Sequence, residues 1–286
     1  MLKWRSFALA LIVAIFPAAL ARSAELKPAT LQEWNEYVHK STISADKSKT
    51  FLWIDESADR QARVQHGEVL VAPVSGRGTQ SVQDGLIHDW IGGVFIPGAS
   101  VQDVRAVLNA YDHYKDIYKP VVTDSKAIPC DGVDQSFSMV WKRHVMFVTA
   151  AMQARYLAHE ATIDQRHGYS IVDAIEIQQI ENYGHRNERA LPPDTGNGFI
   201  WRIRSIVNYE ERDGGLYLQI EAIALTRGIP SSIEWMVRPV VGRLSIDSLT
   251  ATLGQTRDAV IKRSASKHTD GVNEPPTPMA LMSARR

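Results

Sequence analysis

The feature that most constrains the fold is a pair of strand-like segments joined by a tight turn. Apolar and polar residues alternate along 199–210 and again along 216–227, as in strands whose two faces differ. Asp213-Gly214 between them is a strong signal for a β-hairpin. The residues expected to share the apolar face are Trp201, Ile203, Ser205, Val207 and Tyr209 on the first segment and Leu216, Leu218, Ile220, Ala222 and Ala224 on the second. The alternation predicts an antiparallel sheet with one covered face and one wet face.

Other segments fit strands that would extend this sheet. The candidates are 51–54, 69–72, 86–97, 121–128, 135–143, 145–159, 169–180 and 232–237. A helix is predicted over Val101–Tyr118, with Ser100 as its N-cap. A shorter helix is predicted over 29–40, with Thr30 and Glu33 in the spacing of a capping box.

A long last helix is predicted from about Ser245 to Lys262, because its apolar residues lie along one stripe. The order of elements is then a strand, a helix, about six mostly antiparallel strands and a long helix. A curved antiparallel sheet wrapped around one long C-terminal helix is the helix-grip arrangement. The predicted fold class is therefore α+β with a helix-grip sheet, which leaves a cavity between the sheet and the helix.

Several segments carry a resemblance to a known family. Leu86–Gly98, followed by the predicted helix, is the first, and similar stretches occur at 199–202, 209–215, 221–227 and 248–257. Over roughly 86–263 they resemble the exported START-like proteins of bacteria, in the SRPBCC superfamily. That superfamily includes lipid carriers, plant hormone receptors and aromatic polyketide cyclases, so the resemblance implies an apolar cavity and no particular reaction.

The first 24 residues are typical of a secretory signal peptide. Lys3 and Arg5 precede an apolar run over 6–19, and small residues stand at Ala19 and Ala21. The run is shorter than the roughly 20 residues that span a bilayer, although an uncleaved anchor is the alternative. The sequence thus predicts an exported protein, periplasmic or secreted, without an integral membrane span after cleavage.

The rest of the chain divides into three predicted parts. Residues 25–85 form an N-terminal extension of a helix and short strands, and 86–263 form the START-like domain. Residues 264–286 form a disordered tail, because they contain Pro275-Pro276-Thr277-Pro278 and little apolar periodicity.

Charge and cysteine content exclude several function classes. Lys+Arg and Asp+Glu both number 32, and residues 1–24 hold three bases and no acid, so the mature chain is mildly acidic. A dedicated nucleic-acid binder is usually strongly basic, so no nucleic-acid partner is expected.

The single cysteine excludes an intramolecular disulfide and a Cys-cluster zinc site. His159-Glu160 begins like a zincin motif, but Ile163 stands where the second histidine would be. We therefore expect neither a metal nor a cofactor.

The expected function is binding of a hydrophobic or amphipathic small molecule, such as a lipid, an isoprenoid or an aromatic compound. Small side chains at Ala222 and Ala224 would leave room beside Trp201 and Ile203. The candidate cavity residues are His88, Trp90, Glu176, Trp201, Arg202, Ile203, Ala222, Ala224, Leu249 and Leu253. Residues 239–244 before the last helix are predicted to form a gate.

Two alternatives stay open. The first is a cyclase, dehydratase or hydrolase working in the same cavity, for which His88, Glu176, Arg202 and Glu221 are the candidate residues. A buried carboxylate paired with histidine or arginine would favour it. The second is an envelope interaction protein whose cavity is vestigial. The sequence leaves the oligomeric state open.

The signal-peptide hypothesis predicts the first residue of the mature protein. N-terminal sequencing of protein purified from the cell envelope should start between Arg22 and Glu25, since signal peptidase reads the small residues before the cleavage site. An intact Met1 on a membrane-embedded protein would contradict the hypothesis.

Overall fold

The computed structural model describes residues 24–46, 50–130, 132–145, 148–229 and 231–272. Residues 1–23 of the predicted signal peptide and 273–286 of the predicted tail lie outside the described residues. The helices are α1 (Pro28–Asp46), α2 (Ala58–Gln65), α3 (Val101–Leu108), α4 (Tyr114–Ile117) and α5 (Ser231–Val272), with 3₁₀ turns at Trp53–Glu56 and Tyr111–His113. The strands are β1 (Leu70–Pro73), β2 (Thr79–Val82), β3 (Gly85–Pro97), β4 (Val122–Ile128), β5 (Gln135–Val145), β6 (Val148–Thr162), β7 (His167–Glu181), β8 (Arg189–Ala190), β9 (Arg202–Arg212) and β10 (Gly215–Arg227).

Within the described residues the strands form one ten-stranded antiparallel sheet. Its order is β1-β3-β10-β9-β7-β6-β5-β4, with β2 also on β3 and β8 on β7. The predicted hairpin lies at its centre, and Ala222 stands opposite Ser205 as Leu218 stands opposite Tyr209. The shared face predicted for the strand residues of the hairpin is therefore confirmed.

One face of the sheet, the inner face, packs against α5. Trp90 and Val94 of β3 pack there with Leu249 and Leu253 of α5. A Cβ placed on Gly92 would lie only 2.8 Å from Leu253 Cδ1, so the glycine lets the helix come close to the strand. A large antiparallel sheet against a long C-terminal helix confirms the predicted α+β helix-grip class.

The opposite, outer face is covered by the N-terminal extension along β3 and β10. From α1, Trp34 and Val38 pack against Ile223 and Leu225. The cluster next to it joins Leu52, Ile54 and Val64 to Leu70, Phe95 and Tyr217. The predicted wet face is therefore wrong for these two strands, because the strand pattern could not show that residues 25–66 would cover it.

The extension also adds strands to the sheet. Leu70–Pro73 and Thr79–Val82 are both hydrogen-bonded to β3, along different halves of the same edge. The domain boundary between residues 85 and 86 stays a prediction.

Three predicted segments have a different structure. The segment 51–54 was predicted as a strand, but its chain turns into a 3₁₀ helix whose Trp53 N–H donates to Gln219 Oε1 at 2.6 Å. Residues 232–237 lie in α5 and not in a strand. The helix predicted over Val101–Tyr118 is divided, because α3 ends at Leu108 and a 3₁₀ turn precedes α4.

The last helix is longer than predicted at both ends. It begins at Ser231, so residues 239–244 are helical and the loop gate predicted there is wrong. It also continues to Val272, past the predicted start of the tail at residue 264.

Helix capping was predicted correctly at one site and wrongly at another. Ser100 caps α3 in a reciprocal capping box with Asp103. In contrast, α1 begins at Pro28, a favoured first-turn position for proline, so Thr30 is not its cap. The Thr30 hydroxyl donates to the Gln83 carbonyl at 2.7 Å, and Glu33 Oε1 accepts from the Gln83 N–H at 3.2 Å. These two residues hold α1 against the turn that precedes β3.

Packing of α5 predicts a large cost for truncating Leu253. Its side chain is fully buried, so Leu253→Ala should lower the free energy of unfolding by about 2–5 kcal/mol. Ile261→Ala on the same helix is the control, since that side chain is 40% exposed and its truncation should cost about 0.5 kcal/mol or less. Equal losses in urea denaturation would mean that α5 does not pack through Leu253.

Candidate ligand-binding site

The inner face carries two apolar clusters, and α5 closes the first of them. This first cluster contains Trp90, Leu249 and Leu253, with Ala222 partly buried against it. Trp90 also packs closely against the β1–β2 turn, since a Cβ on Gly78 would lie 2.5 Å from its ring. Three of the predicted cavity residues thus belong to closed core packing.

The second inner cluster lies on strands β4 to β7. Its closed end is a stack of aromatic rings, in which Tyr111 and Phe137 lie 4.3 Å apart and Phe137 and Tyr156 lie 4.8 Å apart, all nearly parallel. Tyr114 packs edge-on against Phe137. The 3₁₀ turn and α4 therefore seal this end of the sheet with rigid, well-buried side chains.

The other end of the second cluster is only partly covered. Met139, Trp141, Val172 and Ile203 are half-buried and point from the sheet toward the helix layer. Among the side chains that the structure describes, no apolar residue of α5 belongs to this cluster. The sheet thus presents an apolar wall here that the described apolar side chains of α5 do not join.

On this side α5 presents hydroxyl groups at four-residue spacing. Thr256 Oγ1 lies 3.1 Å from the Tyr118 hydroxyl, and Ser248 accepts a hydrogen bond from Arg143 of β5. Thr252 lies between them on the same stripe of the helix. We call the space between this stripe and Met139, Trp141, Val172 and Ile203 the candidate groove.

Arg143 brings a positive charge to the candidate groove. It stands opposite Ala150 on β6, which belongs to the second cluster, so its side chain leaves the inner face of the sheet. Burial lowers the pKa of its guanidinium, and the charge of nearby Asp247 acts in the opposite direction.

Five of the predicted cavity residues lie on the inner face. Ile203 lies in the candidate groove, Trp90, Leu249 and Leu253 belong to the first cluster, and Ala222 packs against it. His88 and Ala224 are opposite each other on β3 and β10, also facing inward. His88 Nε2 lies 3.0 Å from Thr226 Oγ1 at the end of the sheet where α5 begins.

The other predicted site residues lie on the outer face. Trp201 packs with α1. It was expected on the inner face because of the alternation along 199–210, but β9 begins only at Arg202, so the alternation does not include Trp201. Arg202 is paired with Asp194 at 2.5 Å. Glu176 is exposed and 3.5 Å from Arg155, as expected for a solvated cross-strand pair.

The residues named for an enzyme therefore do not meet. His88 faces the helix layer, whereas Glu176, Arg202 and Glu221 face the other side of the sheet. Sequence reasoning missed Met139 and Arg143, although both alternate with Trp141 along the predicted strand 135–143. That alternation shows that they share a face, and the strand pairing was needed to show which face.

Two buried carboxyl groups lie on the outer face beneath α1. Asp89 is 3% exposed, and its Oδ2 accepts a hydrogen bond from the Tyr37 hydroxyl at 2.7 Å. Its Oδ1 has no hydrogen-bond partner among the described residues. Glu221 Oε1 accepts from Ser41 Oγ at 2.9 Å.

This environment disfavours the charged form of both acids. Burial and the neighbouring Glu221 charge raise the pKa of Asp89 to about 7, against the effect of the Tyr37 hydrogen bond. Burial likewise raises the pKa of Glu221. Asp89 and Glu221 are not part of the candidate groove, because they lie on the opposite face of the sheet.

In the described part of the chain, no group of three or more His, Cys, Asp or Glu side chains is arranged to hold a metal ion. None of the described helices is long and apolar enough to cross a bilayer.

No protein-family model and no curated protein matches the sequence. The structure is similar to several solved structures. The Zhui aromatase/cyclase from Streptomyces sp. R1128 is 13% identical, with 62% of this chain and 95% of that chain covered and a TM-score of 0.41. A STAR-related lipid transfer protein from Xanthomonas axonopodis is 13% identical over 66% of this chain and 99% of that chain, with a TM-score of 0.39. Human STARD10 is 11% identical over 76% of this chain and 84% of that chain, with a TM-score of 0.41.

The helix-grip architecture follows from the strand order and the position of α5 described above.

The buried acids predict a pH dependence of stability. Since the folded-state pKa of Asp89 is above that of the unfolded chain, about 3.9, the folded protein holds more protons between about pH 4 and 7. The free energy of unfolding should therefore fall as pH rises through this window, by about 2 kcal/mol between pH 5 and 8. Asp89→Asn keeps an acceptor for Tyr37 and should remove most of this slope in urea denaturation.

The control for this experiment is Glu176→Gln, an exposed acid on the same outer face whose loss should leave the slope unchanged. Parallel pH profiles of wild type and Asp89→Asn would show that Asp89 is ionised in the folded protein.

Proposed function

We propose that the protein is an exported binding protein that holds a hydrophobic or amphipathic small molecule, such as a lipid, an isoprenoid or an aromatic compound, in the candidate groove. The observation that supports this is the half-buried apolar wall of Met139, Trp141, Val172 and Ile203, which no described apolar side chain of α5 covers. Ligand sites are lined mainly by apolar side chains, with a few polar groups that orient the ligand.

Burial of the ligand would supply the binding free energy. Each Å² of apolar surface removed from water contributes about 25 cal/mol, before the cost of ordering the ligand. Few protein side chains need to be ordered on binding, because the stacked rings of Tyr111, Phe137 and Tyr156 already fix one end of the apolar wall.

Export to the periplasm or beyond is part of the proposal and is supported by the sequence of the first 24 residues. Catalysis is not proposed, since the four candidate residues face opposite sides of the sheet. An interaction protein is not proposed either, because the exposed large apolar side chains in the described part lie on separate loops, on β7 and along α5.

Filling the candidate groove should abolish binding. Val172 faces the groove, so Val172→Trp should weaken binding of Nile red, a neutral apolar dye, at least tenfold, while overpacking costs about 1–3 kcal/mol of stability. Wild type should bind the dye in the micromolar range, about −8 kcal/mol. Fluorescence titration measures both.

The matched control is Ile175→Trp, on the same strand but 44% exposed and outside the second cluster. It should bind the dye as wild type does. Dye binding that is equal in both variants would place the ligand elsewhere, and folded wild type that binds no apolar probe would refute the proposed function.

A further inference from the structure

Arg143 is bonded differently from six other arginines around the sheet. Its Nη2 donates to Ser248 Oγ, a neutral acceptor on α5. Asp247 is the nearby acid, but its carboxylate is 3.8 Å from Arg243 on the exposed side of the helix. Within the described residues no carboxylate forms an ion pair with Arg143.

Six other arginines of the sheet and α3 differ from Arg143, because each has an acid within ion-pair distance. The pairs are Arg105–Glu160, Arg155–Glu176, Arg189–Glu181, Arg202–Asp194, Arg204–Asp173 and Arg212–Asp55.

The position of Arg143 makes its lack of an ion-paired carboxylate significant. It is half-buried at the end of the apolar row Met139 and Trp141, and burial lowers the pKa of its guanidinium. A charge withdrawn from water without a counter-charge costs free energy, which an incoming anion would recover. A guanidinium also offers paired N–H donors that match the oxygens of a carboxylate or a phosphate.

We propose that Arg143, assisted by Ser248, binds the anionic head group of an amphipathic ligand whose apolar part lies along Met139, Trp141 and Val172. The head group is a carboxylate or a phosphate. This inference rests on the proposed function, because it assigns a ligand class to the same groove. It adds that the ligand is charged and that its head group points to the end of β5.

Isothermal titration calorimetry with three ligands of equal chain length tests the charge requirement. Dodecanoate, dodecyl phosphate and dodecanol share the apolar tail and differ in the head group. At least one of the two anions should bind wild type ten times or more tightly than dodecanol, and the tighter anion identifies the head group. This comparison in wild type does not depend on whether any variant folds.

Two substitutions assign the preference to Arg143. Arg143→Gln should remove the preference for the anion and leave dodecanol binding unchanged, whereas Arg143→Lys should retain part of it because the charge remains. Arg155→Gln is the matched control, since Arg155 is an exposed arginine of the adjacent strand on the outer face. It should leave all three affinities unchanged, and thermal melts confirm that the variants are folded.

The outcomes separate this inference from the proposed function. Wild type that binds dodecanol as tightly as both anions would overturn the role of Arg143 and leave the apolar groove in place. Equal weakening of dodecanol and dodecanoate by Arg143→Gln would likewise overturn it. Wild type that binds none of the three ligands would refute the proposed function together with this inference.

Discussion

Strand β3 is buried on both faces because two neighbouring glycines let a layer approach from each side. A Cβ on Gly92 would meet Leu253 of α5 at 2.8 Å, and one on Gly93 would meet Ile54 of the extension at 3.0 Å. Larger residues at either position would push away a layer, since the neighbouring atoms are packed at van der Waals distance. The rest of the domain depends on this contact, because β3 also pairs with β1, β2 and β10.

The double coverage divides the sheet into two unlike halves. On β3 and β10 the helix layer and the N-terminal extension close both faces with apolar side chains. On β5 to β7 the outer face carries exposed charges such as Arg155, and the inner face is only partly covered. The half of the sheet around β3 is thus packed on both faces independently of the partly covered inner face of β5 to β7.

Polar groups fasten the layers where apolar packing does not. Glu160 accepts hydrogen bonds from Arg105, Asn109 and Tyr209, at distances between 2.6 and 3.3 Å, and so joins α3 to β6 and β9. Those bonds lower the pKa of the Glu160 carboxyl, despite its burial. Under α1 the opposite occurs, since burial raises the pKa values of Asp89 and Glu221, whose described side-chain partners are the hydroxyl groups of Tyr37 and Ser41.

The sequence by itself determined the central hairpin, the cap of α3 at Ser100 and the helix-grip class, because these follow from periodicity and turn chemistry within short segments. Only the tertiary structure decided what covers each face of the sheet. Trp201 lies one residue outside β9 and packs against α1, and Ser248 meets Arg143 from a helix that is distant in sequence. Alternation shows that two faces of a strand differ, but the partner of each face is set by packing between segments far apart in the chain. The candidate groove is formed by such long-range packing, and so its residues could not be read from any single segment.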